Sequence, residues 1–295
     1  MIDRFTPIHD PNDPRIEPYR NQKDAWLKAA HNPDAPKSDS VQSTKDPLFI
    51  SEGSLVLEHH IASRYPLHSV LIDESKPQSH TELLETIPES VPIYTAARPI
   101  LDQITGYPIH RGLLAAGHRI KHPPLSDLLN SARALVILED LANHDNLGSV
   151  FRSVAALCGT GVPVLLSPRC CDPLYRKSLR VSMGHALTIP FTQIQEQSDW
   201  IPTLTTVKDA GFTTLALTPA RDALDIEQIA QETTKNTLLA PKLALMLGAE
   251  GPGLTPESIQ AASQKVKIPL ASTADSLNIS VAAAVALHRL IPPQG

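Results

Sequence analysis

The sequence predicts an α/β protein in two parts, a smaller N-terminal α/β domain followed by a C-terminal parallel sheet with crossover helices. Length is the first reason, because 295 residues exceed one typical domain and can bury two cores. The second is periodicity. From residue 134 the chain repeats a pattern of strand, loop and helix: ALVILED, NLGSVFRSVAALCG and VPVLLS, then TTLALT, KLALML and VKIPL. Short Val, Leu and Ile runs separated by helical segments are the pattern of a parallel sheet buried on both faces. Clusters of glycine and polar residues directly after three of those runs are the third, since ligands of such sheets bind at the carboxyl ends of strands.

Residues 1–46 combine dense proline with mixed charge and one helix-like run, NQKDAWLKAAH. They predict a polar extension that orders only against another surface. Residues 47–121 alternate a helix about Ser54–Arg64, a strand SVLID, a helix TELLETI, a strand VPIYT and the run GLLAAG, which is a small α/β domain. The basic, proline-paired segment GHRIKHPPLSDLLNSAR marks the boundary. Residues 132–295 form the C-terminal domain.

Composition narrows the function. An apolar share of 42% fits neither a disordered chain nor a membrane protein. The N-terminus lacks the charged, apolar and small-residue regions of a secretory signal. The most apolar stretch, ISVAAAVALHRLIPP, is too short for a bilayer and carries His288 and Arg289. A cytoplasmic protein without a membrane partner is the expectation. Cys158, Cys170 and Cys171 show no CxxC spacing, and His59 and His60 adjoin rather than lie one turn apart, so no metal is expected. A net charge of −5 argues against coating nucleic acid non-specifically. Positive charge is instead local: Arg169, Arg176, Lys177 and Arg180 share the segment SPRCCDPLYRKSLRVSMGH. There a solvated helix face and a nucleic-acid contact are equally good readings.

The three polar junctions carry the chemistry. After ALVILED, Asn146 sits at a helix start, Gly148 permits close approach, and Arg152 follows one turn later. After KLALML, GAEGPGL offers Gly248, Gly251 and Gly253 for a tight backbone, with Glu250 among them. After VKIPL, Asp275 or Ser276 caps a helix at whose positive end Ser276, Asn278 and Ser280 crowd. Singly, these read as a helix cap, a surface cation and a turn. Their joint order points to one site. GAEGPG is not GxGxxG and lacks GK[ST], which disfavours a dinucleotide or ATP.

NLGSVFR, LGAEGPGL and IPLASTADSLNISVAAA together resemble the three ordered motifs of the SpoU/TrmH family of SPOUT-class RNA ribose methyltransferases, over about residues 132–295. The resemblance implies a trefoil-knotted catalytic domain, S-adenosylmethionine as cofactor, a homodimer and RNA as substrate. It places Asn146, Arg152, Glu250, Ser276 and Asn278 in the catalytic set, and Thr218, Gly248, Gly253, Ile268, Leu270 and Leu277 around the cofactor. RVSMG is similar to a family pattern on the RNA-facing side, which makes Arg180 and Arg169 RNA contacts, while His110 and Arg111 in the PIHRG loop read equally as RNA contacts and as a structural turn. The first domain is similar to the ribosomal-protein-like module of members acting on ribosomal RNA. The reaction implied is methylation of a ribose 2′-hydroxyl, with Arg152 holding a phosphate and the developing alkoxide, and with the amides orienting the sugar. Transfer RNA as substrate, a base nitrogen as acceptor and a non-catalytic RNA-binding or ribosome-assembly protein are the alternatives.

Overall fold

A computed structural model describes residues 4–21, 23–29, 46–106, 108–109, 112–235, 242–271 and 276–291. The chain divides into two units, Met1–Lys121 with Leu174–Thr188, and His122–Pro173 with Ile189–Gly295.

In the first unit the order is β1 (Phe5–Ile8), α1 (Asp24–Ala29), β2 (Leu48–Glu52), α2 (Ser54–Ile61), β3 (Leu67–Asp73), α3 (Thr81–Glu85), β4 (Ile93–Ala96), α4 (Arg98–Thr105) and β5 (Leu113–His118). Among the described residues these strands make one sheet in the order β1-β4-β3-β5-β2. Strand β3 shows why it forms. Alternate side chains of a strand point to opposite faces, and Leu71 packs with Ile8, Tyr19, Leu48 and Ile50 on one side. Val70 and Ile72 pack with Leu57, Leu84 and Ile93 on the other.

The polar extension expected over residues 1–46 requires correction. Phe5–Ile8 is a parallel edge strand in register with Ile93–Ala96, and Ile16, Tyr19 and Leu27 are buried in the core. Prolines and charges set the average polarity of the segment, but its few apolar side chains are spaced to reach the sheet.

His60 of α2 is fully buried with Nδ1 2.9 Å from Ser51 Oγ, and its Nε2 has no partner among the described residues. Burial draws its pKa from 6.5 down to about 3. A Cβ on Gly117 would lie 2.4 Å from the imidazole ring, so only glycine fits opposite it.

The second unit begins with α5 (Leu125–Ser131), β6 (Ala134–Leu138), α6 (His144–Cys158) and β7 (Val164–Leu166). The chain then lends Leu174–Thr188, which carries α7 (Arg176–Val181), to the first unit. This corrects the expectation of one continuous domain over 132–295. There α7 packs on β2, and Arg176 Nε lies 3.4 Å from Asp24 Oδ1.

The second unit resumes with β8 (Phe191–Gln193), α8 (Trp200–Asp209), β9 (Phe212–Leu217), β10 (Leu224–Asp225), α9 (Ile226–Lys235), β11 (Lys242–Leu247), α10 (Pro256–Ala261), β12 (Gln264–Lys267) and α11 (Ile279–Leu290). Its sheet runs β10-β12-β9-β11-β6-β7-β8, with every neighbouring pair parallel. The ALVIL of β6 is buried at every position, as a sheet covered on both faces requires. Helix α11 packs against α6 and α9. No described helix is long and apolar enough to cross a membrane. Strand β12 ends at Lys267, before the IPL expected to continue it. Pro269 has no N–H for a ladder, so Ile268 and Leu270 fall in the loop beyond the strand.

Candidate active site

The carboxyl ends of β9, β11 and β12 and the start of α11 enclose a cavity of about 470 Å³. Thr218, Gly248, Gly253, Ile268, Leu270 and Leu277, the residues expected around a cofactor, all line it. So do Glu250, Ser276 and Asn278. Leu217, Leu247 and Ile279 add apolar wall.

The loop between β11 and α10 turns back on itself. Gly253 N donates to Ala249 O at 2.9 Å, and Gly251 and Gly253 take φ of +85° and +74°, a region open chiefly to glycine. At Gly248 the need is different. A Cβ there would sit 2.1 Å from Gly253 C and Leu254 N, so glycine lets the two arms of the loop touch.

One amide organises the mouth of the cavity. Asn278 is the N-cap of α11, its Oδ1 accepting from Ser280 N at 2.9 Å and Ser280 Oγ at 2.6 Å. The expected cap was Asp275 or Ser276. Asn278 takes that place because the helix begins at Ile279, while Asp275 lies outside the described residues. With its oxygen committed to the cap, Asn278 turns Nδ2 toward Glu250 Oε1 at 2.7 Å and Asn146 Oδ1 at 3.2 Å. Asn146 is buried in the first turn of α6, two residues inside a helix that starts at His144 and is capped by Asn143. Its own Nδ2 has no partner among the described residues and remains a donor for an incoming group. The Asn-x-Ser spacing at a helix start is the sequence signal of this cap, with Ser280 as donor to Asn278.

Arg152 is not brought to this cavity. It is exposed on α6, and six residues at 100° each put it about 240° around the helix from Asn146. It has no hydrogen bond or ion pair among the described residues. Arg169 pairs with Asp140, whose φ of +58° is rare for a residue with a Cβ. Arg180 is exposed on α7 of the first unit. His110 and Arg111 lie outside the described residues. Among the described residues no group of three or more His, Cys, Asp and Glu is placed to hold a metal ion.

Chemically, the arrangement offers a cavity of small-molecule size with apolar walls, a loop with close backbone approach, and a rim of oriented amides beside one carboxylate.

The model of the SpoU rRNA methylase family matches residues 133–288. An uncharacterized tRNA/rRNA methyltransferase of Mycobacterium bovis is 34% identical over 95% of this chain and 90% of its own length. The 23S rRNA (guanosine-2′-O-)-methyltransferase RlmB of Acinetobacter baylyi is 30% identical over 73% of this chain and 84% of its own. Two solved structures share the fold. The rRNA methyltransferase from Sinorhizobium meliloti superposes with a TM-score of 0.72 at 18% identity, covering 97% of each chain. The SpoU methyltransferase AviRb from Streptomyces viridochromogenes gives 0.70 at 18%, over 94% of this chain and 95% of its own. The motif matched by the family model spans both strands and loops that form the cavity, and this chain therefore belongs to the SpoU rRNA methylase family.

Proposed function

We propose that this chain, as a homodimer, transfers a methyl group from S-adenosylmethionine to a ribose 2′-hydroxyl of ribosomal RNA. The observation that carries this reading is the amide network in which Asn278 holds Glu250 and Asn146 together at the rim of the cavity. The likeness to a 23S rRNA guanosine-2′-O-methyltransferase supports the ribose and the ribosomal substrate.

The cavity fits the cofactor. At about 470 Å³ it lies in the range of small-molecule pockets, with leucine and isoleucine walls for an adenine and glycine backbone at the close approach. Bound there, S-adenosylmethionine supplies an electrophilic methyl group on a sulfonium.

The protein's task is to make a poor nucleophile react. A ribose hydroxyl is barely ionised at neutral pH, so negative charge emerging on its oxygen must be met by donors already in place. Asn146 Nδ2 is such a donor, held in one orientation by Asn278. Ser276 at the same rim offers a hydroxyl to the sugar. Arg152, always charged, supplies the cation for the adjacent phosphate, and its exposed position, without an ion pair among the described residues, suits a site completed by a second copy. Val281 and Val285 are exposed large apolar side chains four residues apart on one face of α11, which a second copy would cover. Arg180, exposed on α7, adds charge for the RNA backbone, as do Arg169, His110 and Arg111 in this reading. The trefoil knot and the cytoplasmic location belong to the same proposal.

The test is incubation of unmodified ribosomal RNA and, separately, transfer RNA with methyl-labelled S-adenosylmethionine, followed by alkaline digestion. Label in an alkali-resistant dinucleotide from ribosomal RNA is expected. Label confined to transfer RNA moves the substrate, and label on a base rejects the 2′-hydroxyl.

A further inference from the structure

Glu139 follows β6 directly, does not line the cavity, and is 1% exposed. Its carboxylate meets donors only. Oε1 accepts from Trp200 Nε1 at 3.0 Å, Thr255 Oγ1 at 2.8 Å and Ser258 Oγ at 2.8 Å, and Oε2 accepts from Thr255 N at 3.1 Å. A side chain that only accepts fits this shell, and an amide does not.

Glu139 also grips the cavity loop at both ends. Its backbone N–H donates to Leu247 O at 2.9 Å, the residue just before Gly248. Its carboxylate holds Thr255, the residue just after Leu254. The seven residues between, 248–254, contain Glu250 and the close Gly248 to Gly253 contact. From Glu139 the chain runs on to α6 and Asn146.

We infer that Glu139 is a positioning residue for methyl transfer: by pinning Leu247 and Thr255 it sets the span of the cofactor loop and the place of Glu250. This rests on the proposal that the cavity binds S-adenosylmethionine. Within itself the loop is closed by a single backbone bridge, and its glycines have wide conformational freedom, while from outside Asn278 holds Glu250 and Leu254 is buried in the core. Its shape therefore depends also on how far apart its ends are held. Removing a hydrogen bond to a buried charge leaves unmatched groups on both sides, and here the mismatch falls on the loop.

Two near-isosteric variants test this, with one control. Glu139→Gln places an NH₂ against N–H and O–H donors. Thr255→Val removes one donor beside the loop, together with the N-cap acceptor for Ser258 N, and keeps the backbone N–H of Thr255. Trp200→Phe removes a donor that comes from α8 rather than from the loop. For Glu139→Gln and Thr255→Val, calorimetry is expected to show S-adenosylmethionine binding weakened about ten- to a hundredfold. The KM for cofactor rises in step, while the KM for RNA stays within about twofold. Trp200→Phe is expected to lower the thermal midpoint and leave cofactor affinity within about twofold of wild type. Unchanged affinity in both loop-side variants, with only the thermal midpoint reduced, overturns the inference, as does equal weakening by Trp200→Phe. Should Glu139→Gln fail to fold, the contrast between Thr255→Val and Trp200→Phe decides. Wild-type protein that does not bind S-adenosylmethionine rejects the cavity assignment instead, which keeps the two failures apart.

Discussion

Asn278→Asp separates the two jobs of one side chain. The aspartate oxygen that stands for Oδ1 still accepts from Ser280 N, 2.9 Å away in the wild type. Aspartate is also as good an N-cap as asparagine and favourable at a helix N-terminus. The other atom changes sign. An anionic oxygen replaces the Nδ2 that donates to Glu250 Oε1 at 2.7 Å, removing a charge-assisted hydrogen bond of about 1.5–3 kcal/mol. It adds a like-charge contact of about 1.5 kcal/mol in water and about 6 kcal/mol at the effective dielectric of a protein surface. Even the low ends sum to about 3 kcal/mol, a factor of roughly a hundred or more in the population of the organised rim. Methyl transfer to unmodified ribosomal RNA is therefore expected to fall at least about a hundredfold, with any loss in thermal midpoint bounded by the roughly 6–12 °C that about 3 kcal/mol would cost in a chain of this size. Asn278→Ala loses the cap as well and is expected to cost about 1 kcal/mol of stability. An Asn278→Asp enzyme within threefold of wild-type activity would refute the orienting role of the amide.

Arg152→Ala is expected to abolish methylation while leaving cofactor affinity and stability intact, because the side chain is exposed and has no partner among the described residues. If Arg152 serves the partner's site, equal mixing with Asn278→Asp restores about a quarter of wild-type activity, since half the dimers are mixed and each regains one site. No restoration excludes the shared site, and sedimentation reports the dimer directly. Gly248→Ala is expected to abolish measurable S-adenosylmethionine binding, because its Cβ meets loop backbone at 2.1 Å; calorimetry showing affinity within twofold contradicts this. His60 gives a pH signature. Its pKa is about 3 in the folded protein against 6.5, so between these values the unfolded chain binds the extra proton. Stability is full above about pH 6.5 and falls toward acid by up to about 1.4 kcal/mol per pH unit. Urea midpoints at pH 7 and pH 5 should converge in His60→Gln relative to wild type; identical slopes reject the assignment.

The parallel sheet and most of the side chains that line the cavity are legible in the amino-acid order. Runs such as ALVIL and LALML are apolar at every position, which only a strand covered on both faces explains. The glycines of GAEGPGL and the polar cluster before α11 follow such runs, and all six residues expected around a cofactor line one space. Those signals are local, and local chemistry is legible in a single chain.

Other features arise only when distant parts of the chain meet. The proline-rich start supplies an edge strand because Ile8 and Tyr19 meet a sheet built from residues far along the chain. Leu174–Thr188 joins the first unit for the same reason. Asn278 rather than Ser276 became the pivot, because the start of α11 and the positions of Asn146 and Glu250 are set by packing across more than a hundred residues. Glu139 reads as the polar end of a strand until Thr255, Ser258 and Trp200 arrive around it. Side chains that act by meeting distant partners leave no periodicity to read, since their partners are chosen by the fold and not by spacing.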